Sequence, residues 1–257
     1  MKMNEIIRNG GVTVLLLAVA ASVAGAQTRL DGPIEIPLHV RDGLLLVPVE
    51  AADGTVFEFI LSMGNSTALS ASTAARLGDD PALTIGGVPL SMQGRFTVPD
   101  DSLAADGMVG PTTLNQFDVL IDVPGERLVL KPVGRSVEWD GMALSNPVTV
   151  QVFHDVLMSL SIELNGEIYR SLLDLGWSTL VVNDAVRTQL RFEPEDVATL
   201  GIGYASLVDL PIRVLDLPIF SGWDPNNGGF VILGAPIAYD CAISLSWAHK
   251  EIRTCVR

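Results

Sequence analysis

The stretch Leu172-Leu173-Asp174-Leu175-Gly176-Trp177-Ser178 constrains this chain more than any other. Two aliphatic residues run into Asp-x-Gly-x-Ser, and a second apolar run follows at Leu180-Val181-Val182. The pattern reads as a buried strand that stops at a tight loop, presents one carboxylate and re-enters the core. Gly176 removes a side chain where another backbone can approach closely. The same pattern occurs once before, at Phe59-Ile60-Leu61-Ser62-Met63-Gly64-Asn65-Ser66. There Ser62 holds the carboxylate position, and the functional reading turns on that difference.

The rest of the chain follows this repetition. Before the first loop, apolar residues run from Pro33 to Val49 around Asp42-Gly43, a hairpin signal, and Asp53-Gly54 marks a second turn before the strand that ends at Leu61. Ala68 to Leu77 is the only helical candidate of this half. Leu83 to Val98, broken at Gly86-Gly87 and Gln93-Gly94, reads as a meander with a hairpin that could cover a cleft. Val109-Gly110 and a hairpin from Phe117 to Leu130, with Pro124-Gly125 at its tip, close the half. Pro132 to Pro147 is a turn-rich connector. The second half then repeats the order: strands at Val148–Phe153 and Leu157–Leu164, a turn at Asn165-Gly166, a strand from Ile168 into the loop, a short helix over Asp184–Leu190, a meander over Gly201–Phe220, and Phe230–Leu233 before Gly234. Its greater length falls around Trp223–Gly229, which has the composition of an exposed loop. Internal repetition of short strands at close turn spacing predicts an all-β fold.

The chain has 257 residues, 48% of them hydrophobic, enough for one large or two modest domains. Met1 to Ala26 stands apart: Lys2 and Arg8, an apolar run from Val12 to Val23, and Ala24-Gly25-Ala26 make the pattern of a secretory signal cut after Ala26, with an uncleaved anchor as the alternative. A periplasmic or secreted location follows, with no membrane association after cleavage. A formal net charge of −14 argues against nucleic acid and anionic membrane surfaces as partners. Cys241 and Cys255 flank a predicted hairpin turning near Ala248, so a disulfide is expected in an oxidising compartment, with two free buried thiols as the alternative. No Cys-x-x-Cys or paired-His spacing points to a metal, and no cofactor is expected.

An apolar run ending in Asp-Thr-Gly-Ala-Ser is the active-site signature of the aspartic peptidases, retropepsin-like and pepsin-like. Leu173–Ser178 resembles it, with Leu175 for Thr and Trp177 for Ala. Leu61–Ser66 resembles it with Ser62 for Asp, Met63 for Thr and Asn65 for Ala. Val109-Gly110 and Leu233-Gly234 match the family's second signature, an aliphatic residue before Gly, and the Phe117–Leu130 hairpin is similar to the closing hairpin of bacterial retropepsin-like domains. The resemblance implies an all-β, two-lobed acid-protease fold with pseudo-two-fold internal duplication: an N-terminal lobe over 33–132, a connector over 133–147 and a C-terminal lobe over 148–257.

It also implies an active site, and here the chain departs from the family. Two close carboxylates share a proton and split their pKa values, so that one acts as base toward a water while the other donates to the substrate carbonyl. Asp174 is the sole motif aspartate, and Ser62, its counterpart, cannot supply this chemistry. The threonine hydroxyls that fix the paired loops in the family are replaced by Met63 and Leu175. Gly64, Ser66, Gly176 and Ser178 complete the two loops. The leading expectation is an exported homologue that has lost catalysis and keeps a cleft for extended polypeptide, as a monomer rather than a dimer. The alternatives are an active endopeptidase, with Asp174 working beside Ser62 or pairing with Asp174 of a second molecule, and a scaffold acting through its acidic surface. A structural role for Asp174, bonded to loop amides, is open beside these. A serine nucleophile at Ser62 lacks a Gly-x-Ser-x-Gly context, and His39, His154 and His249 fall on strands or turns. Asn65-Ser66-Thr67 matches a glycosylation acceptor but lies beside a loop expected to be buried. Trp177, Tyr204, Phe220 and Trp223 are candidates for a peptide groove, with core packing as the ordinary alternative.

Overall fold

The computed structural model describes residues 30–79, 81–134, 137–193, 196–203, 205–217, 220 and 228–255. Residues 1–29 (which include the segment read as a secretory signal), Tyr204 and Trp223 lie outside them. The fold is mostly β. In the first half, β1 (Ile34–Pro37), β2 (His39–Arg41), β3 (Leu44–Ala51) and β4 (Val56–Leu61) precede the first loop. Asp42 and Gly43 take φ of 52° and 74°, the left-handed pair that a two-residue hairpin needs, and so join β2 to β3. Then follow β5 (Ala68–Ser70), α1 (Ala71–Leu77), β6 (Leu83–Ile85), β7 (Val88–Pro89), β8 (Phe96–Val98) and β9 (Gly107–Val109). A turn of helix, α2 (Pro111–Leu114), leads to β10 (Phe117–Asp122) and β11 (Arg127–Pro132).

The helical candidate over Ala68–Leu77 is therefore shorter than its sequence pattern. Ala68 and Leu69 pair with Met108 and Gly107 as strand. Ser70 then caps α1, its hydroxyl accepting from the Thr73 N–H.

The second half carries β12 (Val148–Thr149), β13 (Gln151–Phe153), β14 (Leu157–Leu164) and β15 (Glu167–Leu173) before its loop. After the loop come β16 (Leu180–Val182), α3 (Asp184–Leu190), β17 (Val197–Ile202), β18 (Ala205–Val214), β19 (Phe230–Leu233), β20 (Ile243–Ser246) and β21 (Glu251–Thr254). Asn183 caps α3 by accepting from Val186 N–H, as Ser70 caps α1.

The same pairings recur in both halves. β4 runs parallel to β9 and β15 parallel to β19, with Leu61 opposite Val109 and Leu173 opposite Leu233. The strand after each loop, β5 or β16, pairs antiparallel with that same partner. β14, β15, β19, β16, β18 and β17 close into a six-stranded barrel through the contact of β14 with β17. The first half stays a curled, open sheet. Its β7 and β8 are separated by residues 90–95, where the second half has the single strand β18.

A third sheet joins the halves in the order β1-β11-β10-β20-β21-β12. Each half contributes its opening strand and its closing hairpin, and β10 meets β20 with Leu120 opposite Ser244. One face of this sheet, including Val119, Ile121, Leu128, Ile243, Leu245 and Ile252, belongs to the main core, which draws on both halves. Residues 137–145 of the connector cross the other face, where Trp139, Met142 and Leu144 pack against Leu120, Val129 and Ala242. Trp139 Nε1 donates to Ser244 Oγ at 2.7 Å. Cys241 and Cys255 form a disulfide at the open end of the β20–β21 hairpin, one residue out of direct opposition, since Cys255 N–H bonds to Ala242 O.

Candidate functional site

Both loops begin in the same way. Ser62 N–H donates to Val109 O and Asp174 N–H to Leu233 O, each at 3.0 Å. Each loop then passes over the glycine that follows. A Cβ on Gly110 would lie 2.5 Å from Asn65 O and 2.6 Å from Thr67 N. A Cβ on Gly234 would overlap Thr179 O and lie 2.6 Å from Trp177 O. Each glycine starts a short helical turn, α2 in the first half and Ala235–Ala238 in the second, with a proline in its opening residues. The aliphatic-Gly signature is thus the floor under the loop.

The two loops meet at Asp174. Its Oδ1 accepts from Ser62 Oγ at 2.8 Å, from Met63 N–H at 3.2 Å and from its own loop's Gly176 N–H at 3.1 Å. Its Oδ2 accepts from Asn65 Nδ2 at 3.3 Å. Gly64 lies flat against the carboxylate, where any Cβ would overlap it. Gly176 covers the other side, its absent Cβ 3.2 Å from both Asp174 Oδ1 and Ser62 Oγ. Asp174 is 3% exposed and Ser62 is fully buried. Burial pushes the Asp174 carboxyl up from its ordinary value, and hydrogen bonds from Ser62, Gly176, Gly64 and Met63 oppose that without cancelling it.

Met63 and Leu175 are both buried in the main core, so apolar packing stands beneath the loops. Ser66 and Ser178 are half-buried at the loop flanks. Trp177 and Phe220 are not groove residues: both are buried in a cluster with Leu172, Val181, Phe230 and Ile232. The Gly86-Gly87 hairpin does not cover Asp174, since a Cβ on Gly86 would meet Ile34 and Ile36 of β1. Residues 91–95 instead run beside the first loop, with Thr67 Oγ1 donating to Ser91 O at 2.8 Å. His39 pairs with Glu58 at 3.0 Å, and His249 shares a hydrogen bond with Gly134 O. Neither of them bonds to Ser62.

Sequence reasoning missed two residues here. Asn65 was visible only as a departure from the motif, yet its amide reaches across to the other half's carboxylate. Tyr239 gave no signal. Its hydroxyl donates to Gly43 O at 2.6 Å, and burial pushes its pKa up to about 12, so it stays a donor. The Asp42–Gly43 turn is thereby seated on the second loop, with a Gly43 Cβ position 2.9 Å from Ser178 Cβ. A reciprocal contact exists: the β13–β14 turn accepts from Asn115 Nδ2 of the first half at Asp155 O, 3.2 Å, while Trp247 Nε1 of its own half donates to Val156 O at 2.7 Å.

Chemically, the site holds one carboxylate in a closed shell of donors. Among the described residues no group of three or more His, Cys, Asp or Glu side chains is placed to hold a metal ion. No protein-family model matches the chain, and no curated protein is significantly similar to it in sequence.

Proposed function

We propose that this chain is an exported, aspartic-peptidase-like protein that has lost catalysis and uses its remaining motif aspartate to hold two lobes together. On this reading residues 33–132 and 148–257 are the lobes, related by a pseudo-two-fold axis that passes between Ser62 and Asp174. The observation that carries it is the state of Asp174: a buried carboxylate whose close partner is a hydroxyl, with its lone pairs taken by donors from both loops. Peptide hydrolysis by this route needs a base that takes a proton from water and an acid that gives one to the carbonyl. A serine hydroxyl takes no proton near neutral pH, and among the described residues no second carboxylate bonds to Asp174 to split its titration. Pairing of Asp174 between two molecules would require breaking its bonds to Ser62, Met63 and Asn65. The disulfide suits an oxidising compartment. A cleft for extended polypeptide, in a monomer, completes the proposal.

The experiment is cleavage of unfolded casein at acid pH by wild type and Asp174→Asn. Both are expected at background. Pepstatin-inhibitable cleavage that disappears in the variant would overturn the reading, and dependence of that rate on protein concentration would assign it to Asp174 pairing between molecules.

A further inference from the structure

The two loops are alike in backbone but opposite in what their fourth residue does. Trp177 turns away into the core of its own half. Asn65, at the same place in the first loop, turns over the carboxylate of the other half. Of the residues bonded to Asp174, only Asn65 and Gly176 are more than marginally exposed, and Gly176 has no side chain. Among the described residues, the Asn65 amide is therefore the one side chain of this shell that stands between Asp174 and solvent. It is also the one donor that can leave without disturbing backbone: the Met63 and Gly176 donors are main-chain N–H groups, and Ser62 is fully buried. A carboxylate has about four lone-pair positions, and rotating the amide out would free one of them at Oδ2.

We propose that Asn65 is a self-occupying lid, its amide filling the position at Asp174 Oδ2 that a donor group of an extended polypeptide, a backbone N–H or a side-chain hydroxyl, takes when Asn65 swings aside. The proposal rests on the polypeptide-cleft reading and names the contact by which such a chain is recognised. The chemistry selects donors. An incoming carboxylate would meet Asp174 as a like charge, and leaving Oδ2 empty would cost the desolvation of a buried acceptor. The free protein then binds such a peptide weakly, because each binding event first has to displace the internal amide.

The test compares wild type with Asn65→Ala at neutral pH. Asn65→Ser is carried alongside, so that a folded protein with a shortened side chain is in hand. First, acetamide and acetate are titrated into thermal unfolding experiments. Acetamide, which carries the donor that was deleted, should raise the Tm of the variant more than that of wild type, and acetate should not. Second, calorimetry with an uncharged decapeptide rich in serine and threonine should show the variant binding about tenfold or more tightly than wild type, a difference of about 1.4 kcal/mol. Equal peptide affinities, or no binding by either protein, would overturn the lid, as would equal responses to acetamide. Cleavage of the peptide by wild type would instead overturn the non-catalytic reading, and that outcome is separable because it appears as product.

Discussion

At the scale of the residue, the decisive feature is the hydroxyl of Ser62 facing the buried carboxylate of Asp174. A buried acid normally costs several kcal/mol unless its charge is met by donors. Here Ser62, Met63, Gly176 and Asn65 meet it, yet burial still prevails and the carboxyl titrates above its ordinary value. The sign of the pH dependence follows. A group with a raised folded pKa stabilises the protein most below the unfolded carboxylate pKa of about 3.9, and that stability is lost as pH rises through the folded value. Asp174→Asn keeps the shape, and the carbonyl oxygen of the introduced amide can still accept from Ser62 and Met63, while a rotated Asn65 amide can accept from the introduced NH₂. The unfolding temperature of this variant should therefore be flat where that of wild type declines, as pH rises above the unfolded carboxylate pKa of about 3.9. A variant that declines in parallel with wild type would remove Asp174 from the titration. Asp174 was readable from sequence because its motif is local. That Asn65 would reach it was not, because the contact joins residues more than a hundred positions apart.

At the scale of the element, turn chemistry was the most legible layer. Asp42-Gly43 and Asn165-Gly166 turn where read, and α3 spans Asp184–Leu190 as its pattern implies. Boundaries set by long-range pairing were not legible. Ala68–Ser70 has a helical composition but fills a strand position beside β9, and residues 137–145 read as a loose connector yet lie across a sheet. Two substitutions test how these elements grip the site. Gly110→Ala adds a Cβ 2.5 Å from the Asn65 carbonyl, a backbone atom that cannot rotate away. With φ at −88° there is no torsional penalty, so the whole cost is steric. It should reach about 3 kcal/mol by urea unfolding, the upper end of the usual cost of overpacking, because the obstructing atoms are backbone; a loss under about 1 kcal/mol would mean that the loop does not rest on Gly110. Tyr239→Phe removes only the hydrogen bond to Gly43 O and leaves that carbonyl short of a partner. A loss of about 1–3 kcal/mol is expected. Asn115→Ala, whose bond to Asp155 O is longer and exposed, should cost less. Reversal of that order would place the grip between the halves on the other hairpin.

At the scale of the whole molecule, the repetition in the sequence predicted two similar halves but not how they are fused. The central sheet does that, for β10 and β20 hydrogen-bond side by side and the core beneath them is continuous. Asp174 and Ser62 lie where the two halves meet, so a second charge at this point acts on the association of one half with the other. Ser62→Asp supplies it. The Ser62 oxygen is 2.8 Å from Asp174 Oδ1, a distance that two ionised carboxylates cannot share but that a single proton can bridge. The pair should titrate as a unit, with its second proton held well above the ordinary carboxylate range. By the same sign as before, the variant is stable in acid and loses stability as pH rises above the unfolded carboxylate pKa. Each proton retained by the folded state and released on unfolding steepens that loss by about 1.4 kcal/mol per pH unit. Three profiles measured by thermal unfolding from about pH 3 to 8 should then separate: flat for Asp174→Asn, a single decline for wild type, and a steeper decline reaching higher pH for Ser62→Asp. Catalysis need not return in the last, because Asn65 still covers Oδ2. If Ser62→Asp follows wild type across the whole range, the two side chains do not face each other, and the two halves are not joined at this point.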